Sequence, residues 1–172
     1  MKKSILLMAI AIVMLAGCRH KTTQKDLQKA EAALFNEDQT MNMEAVPTAI
    51  DAFDKYAQEN PEAENAADYL FRAFEVAVNT HQEPQQSIDL ATRLLERYPD
   101  YDKNSVALFM LATFVYDEQL HDLDQARDCY QRIIDSYPDS PFAADAAIAI
   151  QQLGMTPEEL IKMFESKNGS GL

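Results

Sequence analysis

Three prolines set the frame for this chain. Asn60-Pro61-Glu62, Tyr98-Pro99-Asp100 and Tyr137-Pro138-Asp139 are spaced 38 and then 39 residues apart. Self-similarity at such a period marks supersecondary units that stack on one another. The residues before each proline agree. Twelve positions back lie Ala49, Ser87 and Ala126; eight back, Phe53, Ala91 and Tyr130; five back, Tyr56, Leu94 and Ile133. Steps of four and three place each set on one helical face. The small residue lets a neighbouring helix approach and the larger ones fill the space beside it. The proline closes the helix, because it has no N–H to donate and keeps its predecessor out of the helical region.

Downstream of each proline a second apolar helix follows. Residues 69–78 align with 107–116, and 145–154 hold the same place after Pro138. Each unit is therefore helix A, turn, helix B, proline. Eight helices are expected, over 24–37, 47–59, 64–79, 84–97, 104–119, 123–136, 141–153 and 157–166. Ser140-Pro141 and Thr156-Pro157-Glu158-Glu159 carry N-terminal capping signals, with Asp122/Gln125 a weaker one. Pro47 and Pro84 suit first-turn positions, and Gly154 suits a helix C-terminus. Four Gly in 172 residues fit this helical reading. Residues 36–45, rich in Asn, Asp, Gln and Met, are expected to form the most flexible internal segment, and 167–172 a frayed tail.

This pattern resembles the tetratricopeptide repeat over about residues 45–154. The Tyr-Pro-Asp-Ser-Pro-Phe-Ala-Ala-Asp-Ala run at 137–146 is similar to the junction in envelope members, such as the lipoprotein of the outer-membrane β-barrel assembly machine and periplasmic cell-division coordinators. The resemblance implies an all-α fold: a right-handed superhelical array of helix-turn-helix units with a C-terminal capping helix. Phe74 and Gln151 depart from it, standing where the family prefers Gly or Ala, and Ala91 stands where an aromatic is preferred. The register of helix A is open by one residue.

The N-terminus carries an independent signal. Met1-Lys2-Lys3 is basic, Ile5 to Ala16 is almost wholly apolar, and Leu15-Ala16-Gly17-Cys18 follows. A basic start, a short apolar run and small residues before a cut site make an export signal. About twelve apolar residues are fewer than the roughly 20 of a membrane-spanning helix. Leu15-Ala16-Gly17-Cys18 resembles the lipobox of bacterial lipoproteins, which implies cleavage after residue 17 and acylation, with palmitate among the chains, of Cys18. The expected organisation is signal peptide 1–17, lipidated tether 18–25, helical domain 26–166 and tail 167–172. Position 19 is Arg rather than Asp, and no acidic export cluster follows. By family resemblance this points to the outer membrane, facing the periplasm.

Loss of residues 1–17 removes Lys2 and Lys3 and leaves 13 basic against 28 acidic residues, a net charge of −15. Such a surface excludes nucleic acid as a partner and suits a basic protein. With Cys18 acylated, Cys129 has no intramolecular partner. It is expected to be a small buried apolar residue.

No enzyme signature is present. His20 falls in the tether, and His81 and His121 fall in equivalent A–B turns without metal-ligand spacing. Phosphate loops need glycine. Met41 and Met43 read as apolar cover rather than a soft-metal site. No cofactor is implied. What remains is a surface. The resemblance places the concave face on the A helices: Asp68, Phe71, Glu75 and Val78; Val106, Phe109, Thr113 and Tyr116; Asp145, Ile148 and Gln152. Aromatics among acidic neighbours suit an extended or helical peptide carrying basic residues. Three functions are open: a lipid-anchored scaffold holding an envelope partner in this groove, a structural subunit of an outer-membrane assembly complex with the groove filled, or a helical binder of a small ligand.

Overall fold

The computed structural model describes residues 21–169. The segment expected to be an export signal, Cys18 and residues 170–172 lie outside the described residues. Within them the chain is all-helical, with α1 (Gln24–Ala33), α2 (Val46–Glu59), α3 (Ala66–Asn79), α4 (Pro84–Arg97), α5 (Asn104–Met110) continuing as a π-helical segment (Leu111–Asp117), α6 (Leu123–Ser136), α7 (Phe142–Gln152) and α8 (Pro157–Gly169). Consecutive helices pack on one another from α1 through α7. This is a stack of A and B helices of the tetratricopeptide-like form that the resemblance implies.

The three junctions are close copies of one another. Asn60, Tyr98 and Tyr137 cap α2, α4 and α6 with φ/ψ of −132/55, −127/63 and −133/52. Each is the residue before a proline, driven out of the helical region by the ring that follows. Each accepts the same turn bond, Ala63 N–H to Asn60 O at 3.0 Å, Tyr101 to Tyr98 at 3.0 Å and Ser140 to Tyr137 at 2.9 Å. The junctions are also tied across the repeat: the Tyr98 hydroxyl donates to the Pro61 carbonyl at 3.1 Å, and the Ser140 hydroxyl to that of Ser105 at 2.8 Å.

The extra residue of the 39-residue interval falls where a π segment runs into the link before α6, which spans 118–122 against 80–83 in the first unit. A π turn closes i→i+5 bonds and absorbs one extra residue without breaking the helix. Glu118 N–H reaches Thr113 O at 3.1 Å and Leu120 N–H reaches Val115 O at 3.0 Å. The added residue is thus taken up where the π segment passes into the link to α6, and α6 packs on α7.

The core fills as the offsets require. Ala49, Phe53, Tyr56, Ser87, Ala91, Leu94, Ala126, Tyr130 and Ile133 are all buried. Phe74 is completely enclosed, so a bulky residue fills the place where the family prefers a small one. Cys129 is buried, and desolvation raises its thiol to about 11. His81 and His121 are exposed turn residues with φ of 50° and 54°. Gly154 takes the corresponding left-handed place after α7, with φ 78°.

Three details differ from expectation. Helix α1 stops at Ala33 rather than 37, because the chain turns into a short hairpin. Asn42 N–H bonds Leu34 O at 2.8 Å and Asn36 N–H bonds Thr40 O at 2.9 Å. The Asn-rich segment 36–45 is therefore hydrogen-bonded structure, with Met41 packed on the core and Met43 exposed. Helix α8 runs on to Gly169, into the segment expected to be tail. It also makes no extended contact with another helix, and none of its described side chains is fully buried.

Two outcomes follow. Gly154→Ala destabilises by about 1–2 kcal/mol in urea titration, since an L-residue resists this φ and the new Cβ would lie 2.9 Å from Leu123 Cδ1. Native Cys129 reacts with a thiol reagent at pH 8 at least about 100-fold more slowly than in urea, because little of a thiol titrating near 11 is thiolate at that pH.

Candidate interaction face on the A helices

The A helices are α1, α3, α5 with its π extension, and α7. Their solvent-facing side is the candidate surface. On α3 the exposed and part-exposed polar residues are Asp68, Arg72, Glu75 and Asn79, a spacing of four, three and four that forms one stripe. Asp68 and Glu75 are where the sequence places them. Phe71 and Val78 are 7 % and 1 % exposed. They belong to the core between helices and offer no side chain to a partner. The register of α3 is displaced by one residue at these two positions, and Arg72 and Asn79 stand in their place.

Much of the α3 stripe is engaged within the molecule. The Arg72 guanidinium bonds Glu31 of α1, Nε to Oε1 at 3.1 Å, and Glu75 through Nη1 at 2.7 Å. Burial opposes its charge, while the hydrogen bonds from both carboxylates favour it and raise its pKa. Asp68 accepts from the Tyr101 hydroxyl at 2.7 Å and pairs with Lys103 at 3.3 Å. The Lys103 ammonium also lies 5.4 Å from the centre of the Phe71 ring and 5.7 Å from that of Tyr101, within cation–π range. Burial, then the bond to Asp68, push the Tyr101 hydroxyl far above its ordinary range.

The C-terminal half of the face is more open. Phe109 is part-buried, with its ring 5.4 Å from both Tyr130 and Phe142. Thr113 Oγ1 is 2.8 Å from the Tyr130 hydroxyl. Tyr116 is part-buried, and its pKa is raised by desolvation first and then by neighbouring Cys129 and Asp122. Val106 and Gln152 are part-exposed, and Asp145 is exposed. Phe114 is 36 % and Ile148 49 % exposed. Phe114 escaped the sequence reading because a π segment departs from the 3.6-residue period on which that reading counts. Beside this half, a cleft of about 710 Å³ opens between the second and third proline junctions, lined among others by Tyr101, Val106, Tyr137 and Phe142 with Asp100, Asp102 and Asp139. Among the described residues no group of three or more His, Cys, Asp or Glu is placed to hold a metal ion.

The surface therefore has two characters. One half is a charged lattice closed on itself, and the other offers apolar rings beside the carboxylates of Asp100, Asp102 and Asp139, with Arg132 lining the same cleft. Cutting the lattice has a measurable cost. Arg72→Met destabilises by about 0.5–1 kcal/mol, the range for a partly exposed pair screened by solvent. It also speeds amide exchange in α1 while leaving α6 and α7 unchanged, and added salt narrows the difference.

A family model described as tetratricopeptide repeat matches residues 106–140, from within α5 through the third junction. No curated protein and no solved structure matches the chain. The matched segment contains the π helix, all of α6 and the Tyr-Pro-Asp-Ser turn, and its junction geometry recurs at both preceding prolines. Residues 106–140 are thus similar to one tetratricopeptide repeat, and they sit in an all-helical array of tetratricopeptide-like form.

Proposed function

We propose that this chain is a lipid-anchored scaffold of the bacterial cell envelope, held through Cys18 and facing the periplasm from the outer membrane, that binds a partner protein or peptide on the C-terminal half of its A-helix face. The coarse part stands on the fold, since tetratricopeptide arrays are protein-interaction modules and are generally not catalytic. The observation that carries the location is the open half of the face. Phe114 on the π segment and Asp145 and Ile148 on α7 are exposed there, whereas the α3 half is occupied by its own ion pairs. A rigid ring provides contact area at small entropic cost, and the acidic surroundings favour a partner segment with basic residues. The basic start, short apolar run and Leu15-Ala16-Gly17-Cys18 support export and acylation. Acyl chains contribute roughly 0.8 kcal/mol per buried CH₂, so two or more hold such a domain at a bilayer.

A second reading is a structural subunit of an assembly complex whose groove is not used for peptides. The closure of α1 onto α3 through Arg72 and Glu31 favours it for that half of the face.

Crosslinked capture from envelopes tests the scaffold reading, comparing the unsubstituted chain with Phe114→Glu plus Asp145→Lys. Both sites are solvent-facing, so circular dichroism should be unchanged. A discrete partner captured by the first and at least about tenfold depleted with the second supports the open half-face. Equal capture by both moves the interaction elsewhere. Anchoring is tested separately: Cys18→Ser should shift the chain from the membrane pellet to the soluble fraction and abolish incorporation of labelled palmitate. A chain that stays acylated and pelleted would overturn the assignment of Cys18.

A further inference from the structure

Large apolar side chains left in solvent concentrate at the C-terminal end of the array. Ile148 is 49 %, Ile161 57 % and Phe164 50 % exposed. The register of α8 gives them meaning. Leu160 and Phe164 are its fourth and eighth residues. The fourth and eighth residues of the three B helices are Ala49 and Phe53, Ser87 and Ala91, Ala126 and Tyr130, and all six are buried. Helix α8 is thus a fourth B helix by sequence. On α7, Ile148 lies ten residues after Pro138, as Phe109 lies ten after Pro99. Phe109 meets Tyr130, the eighth residue of its own B helix, with ring centres 5.4 Å apart. By the same geometry Ile148 should meet Phe164. In this structure the two are half exposed, and α8 does not lie along α7.

The reason lies in the link. Four residues join α7 to α8, as four join α3 to α4. The first of the α3–α4 link, Thr80, has φ −103° and ψ 11°, which folds α4 back. The first of the α7–α8 link, Leu153, has φ −58° and ψ 122°, which directs the chain away. This opening is packed rather than frayed. Leu153 rests on the hydrophobic core, and Gly154 sits so close to Leu123 that a Cβ would meet its side chain. Each molecule therefore presents an A helix without its B helix and a B helix without its A helix.

We propose that α8 docks on α7 of a second copy, each molecule exchanging its terminal helix with the other in an isologous pair. The occupant is specified by continuity with the A–B interface already present in the stack: the face is vacant where a B helix belongs, and a second copy carries a B helix of the right register. Reciprocal exchange closes the pair, so assembly stops at two. The inference is independent of lipidation; it covers Ile148, so in the pair the partner surface proposed above is left with Phe114 and Asp145.

Disulfide trapping tests it. Ile148→Cys and Phe164→Cys are placed in separate full-length chains carrying Cys18→Ser, and Cys129 is kept because it is buried. The two are refolded together from urea, oxidised with copper phenanthroline, and digested for mass spectrometry. The expected product is a dimer linked 148 to 164, while the unsubstituted chain sediments as a dimer whose dissociation constant rises at least tenfold with Phe164→Glu. A chain with both cysteines that closes an internal disulfide as a monomer would show that α8 returns to its own α7 and would overturn the proposal. So would the absence of any 148–164 link in either format, or sedimentation as a monomer at every concentration.

Discussion

The fold depends on a steric constraint repeated three times. A proline ring bars its predecessor from the helical region, so each B helix ends on one residue at φ near −130° and ψ between 52° and 63°. The same hydrogen-bonded turn then leads to each A helix. Hydrogen bonds between neighbouring junctions, Tyr98 to Pro61 and Ser140 to Ser105, lock that spacing. Everything on the A-helix face inherits its position from this. A residue a fixed number of places after a proline points the same way in every unit, provided the intervening helix keeps its pitch.

In the second unit the pitch changes. Helix A ends in π turns and the link that follows is one residue longer than in the first unit, and the next junction repeats the geometry of the one before. The alternative would be to push α6 out of step with α7, breaking a buried interface that includes Ala126, Tyr130 and Ala146. The adjustment falls where helix A carries Thr113, Phe114 and Tyr116. The part of the face with most exposed aromatic surface is therefore also the part whose backbone departs from regular helix. The acidic excess of the chain is unevenly compensated on this face. Arg72 and Lys103 pair with the carboxylates of the α3 half, while among the described residues Asp145 and the aspartates of the junction cleft, which Arg132 also lines, form no ion pair.

Periodicity made most of the architecture legible. Helix order, the three junctions, the left-handed residue after α7 and the burial of nine offset positions follow from proline spacing and the 3.6-residue repeat. The Thr156/Glu159 capping box was equally readable and is formed, with Thr156 N–H bonded to Glu159 at 2.8 Å. The site was less legible. Phe71 and Val78 were placed on the surface because the register of helix A depends on where it begins, and one residue of error turns a side chain by about 100°. Phe114 was missed because π winding has no apolar signature of its own. The Asn-rich segment 36–45 suggested mobility by composition, yet its polar side chains close a hairpin. Asp38, whose carboxylate accepts from the Thr40 backbone and hydroxyl, holds that turn. Ion pairs that span 35 to 41 residues, such as Lys103–Asp68 and Arg72–Glu31, are invisible before the fold brings them together.

The central claim is that the A-helix side, and specifically its C-terminal half, is the surface on which a partner sits. The most direct measurement places a photo-crosslinking amino acid at Phe114 in one strain and at Asp89, an exposed residue of B helix α4, in another, with irradiation of intact cells. The account predicts a discrete protein adduct from position 114 and none from position 89. Adducts from 89 alone would put the partner on the opposite side of the stack and contradict it.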